Sequence, residues 1–152
     1  MRKAYISCND RDTYKKVATK LREHSYDVRS FMNPAAGVYM LNIKVAAEAK
    51  ELVKNALRWC EVYVLVEPAE DTQSIFEFGY CAGLENKTVL VYSEGESKFS
   101  HYFGDFLIKS IDEFDKVIET VNSYLPNPED FKPQENEEQT SNVQGTDGNE
   151  VD

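Results

Sequence analysis

The feature that most constrains the fold is the alternation of short, nearly continuous apolar runs with segments of helical periodicity. Three runs are typical of buried strands: Lys3–Ser7, Val62–Val66 and Thr88–Tyr92. Two shorter stretches, Tyr26–Phe31 and Phe106–Ile108, are predicted as the second and fifth strands. Such apolar runs suit parallel strands that are covered by helices on both faces.

Four helices are predicted between or after these strands, because their apolar residues recur every three to four positions. They cover Tyr14 to Leu21, Val45 to about Trp59, Thr72 to Leu84 and Ile111 to Leu125. Asp10 or Asp12 can cap the first helix, and Ser110 with Glu113 forms a predicted capping box for the last. Gly79 and Gly83 in the third helix are expected to permit close packing.

Strands that alternate with helices predict an α/β fold with right-handed crossovers. We expect a flavodoxin-like, doubly wound parallel sheet of five strands in the order 2-1-3-4-5. Ligands of such folds bind beyond the carboxyl ends of the strands. Four segments should therefore surround one crevice: Ser7–Asp12, Phe31–Gly37, Glu67–Glu77 and Ser93–His101.

The charge of the chain is concentrated at its C-terminal end. Residues 126–152 contain eight acidic residues and one lysine, so that about −7 of the total net charge of −10 lies there. The segment has almost no apolar residues, which predicts a disordered acidic tail after one domain at 1–125. The remaining body is also slightly acidic and lacks a basic cluster, so neither nucleic acid nor an anionic membrane is an expected partner.

The location and the redox state follow from simpler observations. No apolar stretch approaches the roughly 20 residues that span a bilayer, and the N-terminus MRKAYISCND is unlike a signal peptide, so we expect a cytoplasmic protein. Cys8, Cys60 and Cys81 are too scattered for a disulfide framework and have no His at the spacing of a zinc site. They are predicted to be reduced and largely buried.

Two acidic residues stand where a crevice ligand would be held. Glu77 lies near the start of the third helix between Phe76 and Phe78, and a partly apolar setting makes a carboxylate a better nucleophile or acid-base group. A structural alternative is that Glu77 only complements the helix dipole. Asp71 has the same kind of alternative as the N-cap of this helix, and the residues alone favour the cap.

The stretch ALRWCEVYVLVEPAEDTQSIFEFGYCAGLENKTVLVY, residues 56–92, resembles the nucleoside 2-deoxyribosyltransferase family and its nucleotide-hydrolase relatives. The matching features are LRWCE, a strand ending in VEP, the acid Asp71, the core FEFGYCAG and the strand KTVLVY. The resemblance implies that Glu77 is the nucleophile, that Asp71 holds the 5′ end of the sugar, and that Tyr5 orients Glu77.

The implied reaction is attack of Glu77 on the anomeric carbon of a deoxyribosyl group, which expels the base and forms a covalent glycosyl-enzyme. No metal or organic cofactor is expected. Besides Asp71, the predicted substrate-binding residues are Ser7, Asn9, Ser74 and His101. The partner is a small-molecule nucleoside or nucleotide. A homo-oligomer is expected because relatives complete the crevice with a loop of a neighbouring subunit.

Two other functions stay open at this stage. A TIR-like NAD nucleosidase shares the alternating architecture and a crevice glutamate. A catalytically silent nucleotide-binding or interaction module is the other, because the chain lacks the family's base-contacting aspartate around Leu52–Lys54. It also carries Gln73 and Ile75 where the family has small residues before the nucleophile.

Overall fold

The computed structural model describes residues 1–30, 43–98 and 103–130, with the backbone alone for 43–47. The strands in chain order are β1 Arg2–Ser7, β2 Tyr26–Arg29, β3 Val62–Val66, β4 Thr88–Tyr92 and β5 Phe106–Ile108. The helices are α1 Arg11–Glu23, α2 Ile43–Trp59, α3 Thr72–Ala82 and α4 Ile111–Tyr124. No helix of these described residues is both long and apolar enough to cross a membrane.

All five strands are parallel and pair in the order β2-β1-β3-β4-β5, which confirms the predicted topology. The direction of winding reverses between β1 and β3, where Tyr5 lies opposite Tyr63 and Ser7 opposite Leu65. In a doubly wound sheet this reversal opens a crevice at the carboxyl ends of the strands. The fold therefore places the C-terminal residues of β1 and β3 beside that crevice.

The helices cover the two faces of the sheet in pairs. Helices α1 and α4 contact each other on one face, and α2 and α3 contact each other on the second. Successive strand residues point to opposite faces, so each strand contributes to both layers. The α1/α4 layer contains Ala4, Ile6, Val64 and Leu90, whereas the α2/α3 layer contains Tyr5, Tyr63, Leu65 and Val91.

Several local predictions are refined by the structure. Strand β2 ends at Arg29, while Phe31, which was predicted to close it, lies outside the described residues. Asp10 caps α1 by accepting a hydrogen bond from the Thr13 amide at 2.8 Å. Helix α3 ends at Ala82 with Gly83 as its C-cap, two residues before the predicted Leu84.

Two predictions about packing and capping are wrong. Ser110 is the N-cap of α4, but its hydroxyl makes no capping hydrogen bond, and Glu113 instead accepts from the Lys109 amide at 3.0 Å. The glutamate reaches one residue further back than a capping box requires. Gly79 and Gly83 do not mark close packing, since an added Cβ at Gly79 meets nothing within 4 Å and one at Gly83 makes only ordinary contacts.

The end of the described chain bears on the predicted domain boundary. Helix α4 ends at Tyr124, and Arg2 donates a hydrogen bond to the carbonyl of Pro126 at 3.0 Å. The first residue of the acidic segment is thus tied to β1. Most of the segment, residues 131–152, lies outside the described residues, and the predicted division at 125 stays a prediction.

Candidate active site

Glu77 is held on the inner side of α3, facing the sheet. The helix begins after Asp71, so Glu77 lies in its second turn, and the apolar spacing that turns Phe78 and Cys81 inward also turns Glu77 toward β1 and β3. Its exposed fraction is 2%. A carboxylate at this depth loses most of its hydration, so protein donors must replace the water.

Two side chains donate hydrogen bonds to the two oxygens of this carboxylate. Ser7 at the end of β1 donates from Oγ to Glu77 Oε2, and Gln73, one helical turn earlier, donates from Nε2 to Oε1 at 2.8 Å. Tyr63 of β3 donates from its hydroxyl to Ser7 Oγ at 2.6 Å. Since Ser7 accepts the Tyr63 proton, its own single proton is available for Glu77.

Tyr5 completes the buried surroundings of Glu77. Its ring stacks on that of Tyr63 with centroids 6.1 Å apart and an interplanar angle of 9°. Tyr5 is fully buried, and its side chain contributes to lowering the pKa of the Glu77 carboxyl. The structure thus brings the predicted nucleophile and the tyrosine predicted to orient it into one cluster.

Burial raises the pKa of Glu77 above its ordinary value of 4.5, and repulsion by Asp71 adds to that effect. The hydrogen bonds from Ser7 and Gln73 act in the opposite direction by stabilising the ionised form, and the Tyr5 side chain adds to their effect. Burial also raises the pKa of Tyr63 well above 10.0, so its hydroxyl remains a donor at neutral pH. A nucleophilic carboxylate needs this combination of low hydration and enough donors to remain ionised.

Asp71 has the structural role that its position suggested. As the N-cap of α3 it accepts a hydrogen bond from the Ser74 amide at 2.9 Å, and Asn9, after β1, donates from Nδ2 to its other oxygen. Burial works against ionisation of Asp71, but the hydrogen bonds from Asn9 and Ser74 prevail and lower its pKa. Asp71 is therefore an ionised side chain at the edge of the site.

Two cavities lie at the carboxyl ends of the strands, where the fold predicted the crevice. One, of about 380 Å³, is lined by Asn9, Asp10 and Thr13 among others, and the second, of about 500 Å³, extends past Ile75 of α3. They share Glu67, Pro68 and Gly95. Glu77 does not line either of these two cavities.

The remaining predicted site residues are placed as follows. Ser7 is buried with 3% of its surface exposed, and its hydroxyl contacts Glu77. Ser74 is buried at 4%. His101 lies outside the described residues, as does the loop 31–37 that was predicted to border the crevice. All three cysteines are buried and free, as predicted.

Tyr63 and Gln73 were missed by the sequence reasoning, although signals for both exist. Gln73 precedes Glu77 by four residues, a spacing that places two side chains together on one face of a helix. Tyr63 lies opposite Tyr5 once β1 and β3 are neighbours, because register in parallel strands places such residues on one face. In the described part of the chain, no three His, Cys, Asp or Glu side chains are grouped to hold a metal ion.

Comparisons with known proteins support the fold. No family model and no curated protein matches the sequence. Among solved structures, a CMP N-glycosidase of Clostridium botulinum is similar with a TM-score of 0.53 and 9% identity, covering 78% of this chain and 99% of that one. A 2-deoxyribosyltransferase of Bacillus psychrosaccharolyticus is similar with a TM-score of 0.59 and 16% identity, over 74% of this chain and 90% of that one.

The chain has the fold of these two nucleoside-processing enzymes. This fold agrees with the resemblance to the nucleoside 2-deoxyribosyltransferase family that residues 56–92 carry. At such low identity the comparison describes the architecture, and the chemistry must be argued from the residues of this chain.

Proposed function

We propose that this chain cleaves or transfers the N-glycosidic bond of a nucleoside or deoxynucleoside, with Glu77 as the nucleophile. The observation that carries the proposal is the buried carboxylate of Glu77, which receives hydrogen bonds from Ser7 and Gln73 beside Tyr5 at the switch point of the sheet. Buried acids without a functional role are usually paired with a base or replaced by apolar residues. Among the described residues, the side chains that donate to Glu77 are neutral, an arrangement that supports a reactive role.

The proposed reaction has two steps. In the first, a carboxylate oxygen of Glu77 forms a bond to the anomeric carbon, the carbon–nitrogen bond breaks, and the base leaves with the electron pair and a proton from solvent. In the second, water or another base attacks the same carbon, and the carboxylate of Glu77 is released. Neither step requires a metal or an organic cofactor.

The substrate class is narrowed by Asp71. One of the two similar enzymes is a glycosidase of the nucleotide CMP, and the other is a biocatalyst for the synthesis of nucleosides. An ionised Asp71 beside Asn9 can accept a hydrogen bond from a free 5′-hydroxyl, whereas it repels a phosphate dianion. We therefore propose that nucleosides are preferred to nucleoside monophosphates.

The test is incubation of the full chain with a panel of nucleosides, deoxynucleosides and their monophosphates, with and without an acceptor base, followed by chromatography. Release of a base, or exchange of one base for another, is the expected result. Release of nicotinamide from NAD, with no reaction of the panel, would favour the TIR-like nucleosidase instead.

The closed position of Glu77, with 2% of its surface exposed, favours a second candidate, a silent nucleotide-binding module. In that case nucleosides would raise the melting temperature without turnover.

We also propose that the chain works as a homo-oligomer. Four large apolar side chains are exposed on or near the α2/α3 layer: Leu52 at 58%, Ile75 at 48%, Phe76 at 40% and Phe103 at 60%. Aromatic and large aliphatic residues are enriched in the buried centres of interfaces. Light scattering at micromolar concentration should give a mass above that of one chain, and a monomer mass would contradict the proposal.

A further inference from the structure

The two oxygens of the Glu77 carboxylate are held in different ways. Oε2 accepts from Ser7, which is 3% exposed and which in turn accepts from the fully buried Tyr63. Oε1 accepts from Gln73, whose side chain is exposed on the first turn of α3. One oxygen is therefore anchored from the sheet, and the other is bonded to a side chain at the surface.

These two hydrogen bonds differ in how readily they can be given up. Removing Ser7 from Oε2 would leave buried groups without partners on both sides of the serine, and a low-polarity interior makes that loss severe. Gln73 is an exposed residue, so its side chain can exchange the hydrogen bond with Glu77 for hydrogen bonds with water at little cost. Rotation of Gln73 is thus the less demanding way to uncover a carboxylate oxygen.

Resting on the proposed function, we propose that Glu77 attacks through Oε1, that Gln73 is a removable cover over this oxygen, and that Ser7 and Tyr63 are positioning residues that fix Oε2. When Oε1 bonds to the anomeric carbon, Oε2 becomes the carbonyl oxygen of the glycosyl ester. Ser7 continues to donate to Oε2 in that ester. In the second step the carbon–Oε1 bond breaks, and the same donor stabilises the carboxylate that forms.

Gln73 reaches the outer oxygen of Glu77 because it stands four residues earlier on the same helix. The proposed reaction gives Gln73 no bond to form or break with the substrate. Entry of a substrate must displace it, so its effect should appear mainly in KM.

The kinetic test compares Gln73→Ala with Ser7→Ala in the full chain. Gln73→Ala should raise kcat/KM about two- to tenfold through a lower KM, since one hydrogen bond no longer has to be broken on entry. Ser7→Ala should lower kcat about ten- to a hundredfold with little change in KM, and Ser7→Thr should restore part of the loss. Lys116→Ala, an exposed change on α4, is the matched control for substitution on a helix surface.

A loss of kcat in Gln73→Ala as large as that in Ser7→Ala would overturn the inference, as would a Ser7→Ala variant with wild-type kcat. If Ser7→Ala does not fold, Tyr63→Phe removes only the hydroxyl that holds Ser7, and it should also lower kcat rather than raise KM.

A measurement that needs no turnover separates this inference from the proposed function. Carboxyl carbon NMR of glutamate-labelled protein gives the pKa of Glu77 in each variant. Asp71 and Tyr5, which also influence this pKa, are unchanged in both variants. Ser7→Ala should raise that pKa more than Gln73→Ala does, because the lost donor is buried. Equal pKa shifts in the two variants, or a larger shift in Gln73→Ala, would contradict the proposed difference between the two oxygens of Glu77, even in an active enzyme. An inactive wild type with unequal shifts would instead contradict the proposed function.

Discussion

The same strands build two chemically different faces. On the α1/α4 side, β1 and β3 present Ala4, Ile6, Val62 and Val64, which pack against aliphatic and aromatic side chains. One position away along the same strands, Tyr5, Ser7 and Tyr63 point to the α2/α3 side and surround Glu77. Both faces are largely apolar, and the second also holds the buried polar cluster of Ser7, Tyr63 and Glu77.

Lys87 shows that the polarity of the α2/α3 side extends to the opposite end of the strands. It is 9% exposed and donates hydrogen bonds to the carbonyls of Arg58 and Cys60, close to the start of β4. Burial lowers the pKa of Lys87. This cluster lies at the opposite end of the strands from Ser7, away from the crevice.

The largest expected effect is the loss of turnover on substitution of Glu77, which lies on the α2/α3 side. Glu77→Gln nearly keeps the shape of the side chain, but it replaces one of the two accepting carboxylate oxygens by an amide NH₂ and removes the proposed nucleophile. We expect kcat to fall about a thousandfold or more, as is found when a nucleophile is removed. Chromatographic assays of base release measure the loss, and circular dichroism checks the fold. Near-normal turnover in Glu77→Gln would mean that another group carries the chemistry.

The next effect concerns stability. Phe114 of α4 is fully buried against Tyr92, and Phe114→Ala should lower the free energy of unfolding by about 3 to 5 kcal/mol through the cavity it leaves. Turnover of the folded fraction should stay unchanged, because Phe114 is on the face away from Glu77. Urea titration measures the free energy of unfolding, and an activity assay at low temperature measures the turnover of the folded protein.

Phe78→Ala is the matched change on the α2/α3 side. Phe78 is 4% exposed and its ring lies 6.3 Å from that of Tyr63. Phe78→Ala should lower both the free energy of unfolding and kcat, because the Phe78 ring supports Tyr63, which positions Ser7. Equal effects of Phe114→Ala and Phe78→Ala on kcat would remove the functional difference between the faces.

A smaller effect concerns substrate choice. Asp71→Ser replaces a carboxylate by a hydroxyl that can still cap α3, so folding should be preserved. Without the negative charge, the ratio of kcat/KM for monophosphates to kcat/KM for nucleosides should rise about ten- to a hundredfold. The rise is limited to this size because solvent screens the partly exposed charge of Asp71. Asp71→Asn controls for charge at nearly constant shape. A wild-type preference for the monophosphate would contradict the assignment of Asp71.

The pH dependence of stability tests the burial of Glu77. An acid whose pKa is raised on folding binds its proton more tightly in the folded state, so its contribution to stability is present below the ordinary pKa of 4.5 and is lost as pH rises through the raised value. Glu77→Gln should therefore gain stability relative to the wild type over that interval. Asp71, whose pKa is lowered from 3.8, acts only at more acidic pH. The measurement is the melting temperature of both proteins at a series of pH values. A constant difference in melting temperature across this interval would show that the carboxylate is hydrated.

The smallest effect is expected from truncation. Removing Pro128 to Asp152 should leave the melting temperature and the turnover nearly unchanged, because that segment has few apolar groups to bury. The cut lies beyond Pro126, whose carbonyl accepts from Arg2. Differential scanning calorimetry of the shortened chain would reveal a docked tail by a clear fall in the melting temperature.

The fold was largely predictable because continuous apolar runs and helical stripes are strong signals. The runs Val62–Val66 and Thr88–Tyr92 coincide with β3 and β4, and the strand order follows from the rules for parallel crossovers. The position of the Ser110 N-cap was right, but the predicted capping box with Glu113 was wrong, because sequence gives the residue types of a cap and not the rotamers of their side chains. The end of α3 was two residues too late because the apolar pattern continues through the turn after Ala82.

The site was predictable only in part. The roles of Glu77, Asp71 and Tyr5 were predicted from a family resemblance, which identifies positions in the chain. The structure adds which side chains surround them. The serine that contacts Glu77 is Ser7, which was expected to face a ligand instead, because the end of a strand borders both the crevice and the core. The bond between Gln73 and Glu77 follows from helical spacing, but its exposure depends on tertiary packing that sequence does not give.

The central claim is that Glu77 forms a covalent bond to the sugar. The most direct measurement is rapid acid quenching of the full chain during turnover of a deoxynucleoside, followed by intact-mass and peptide mass spectrometry. We expect an added mass of one deoxyribosyl group, located on the peptide that contains Glu77 and absent in Glu77→Gln. Turnover without any adduct, or an adduct on another residue, would contradict it.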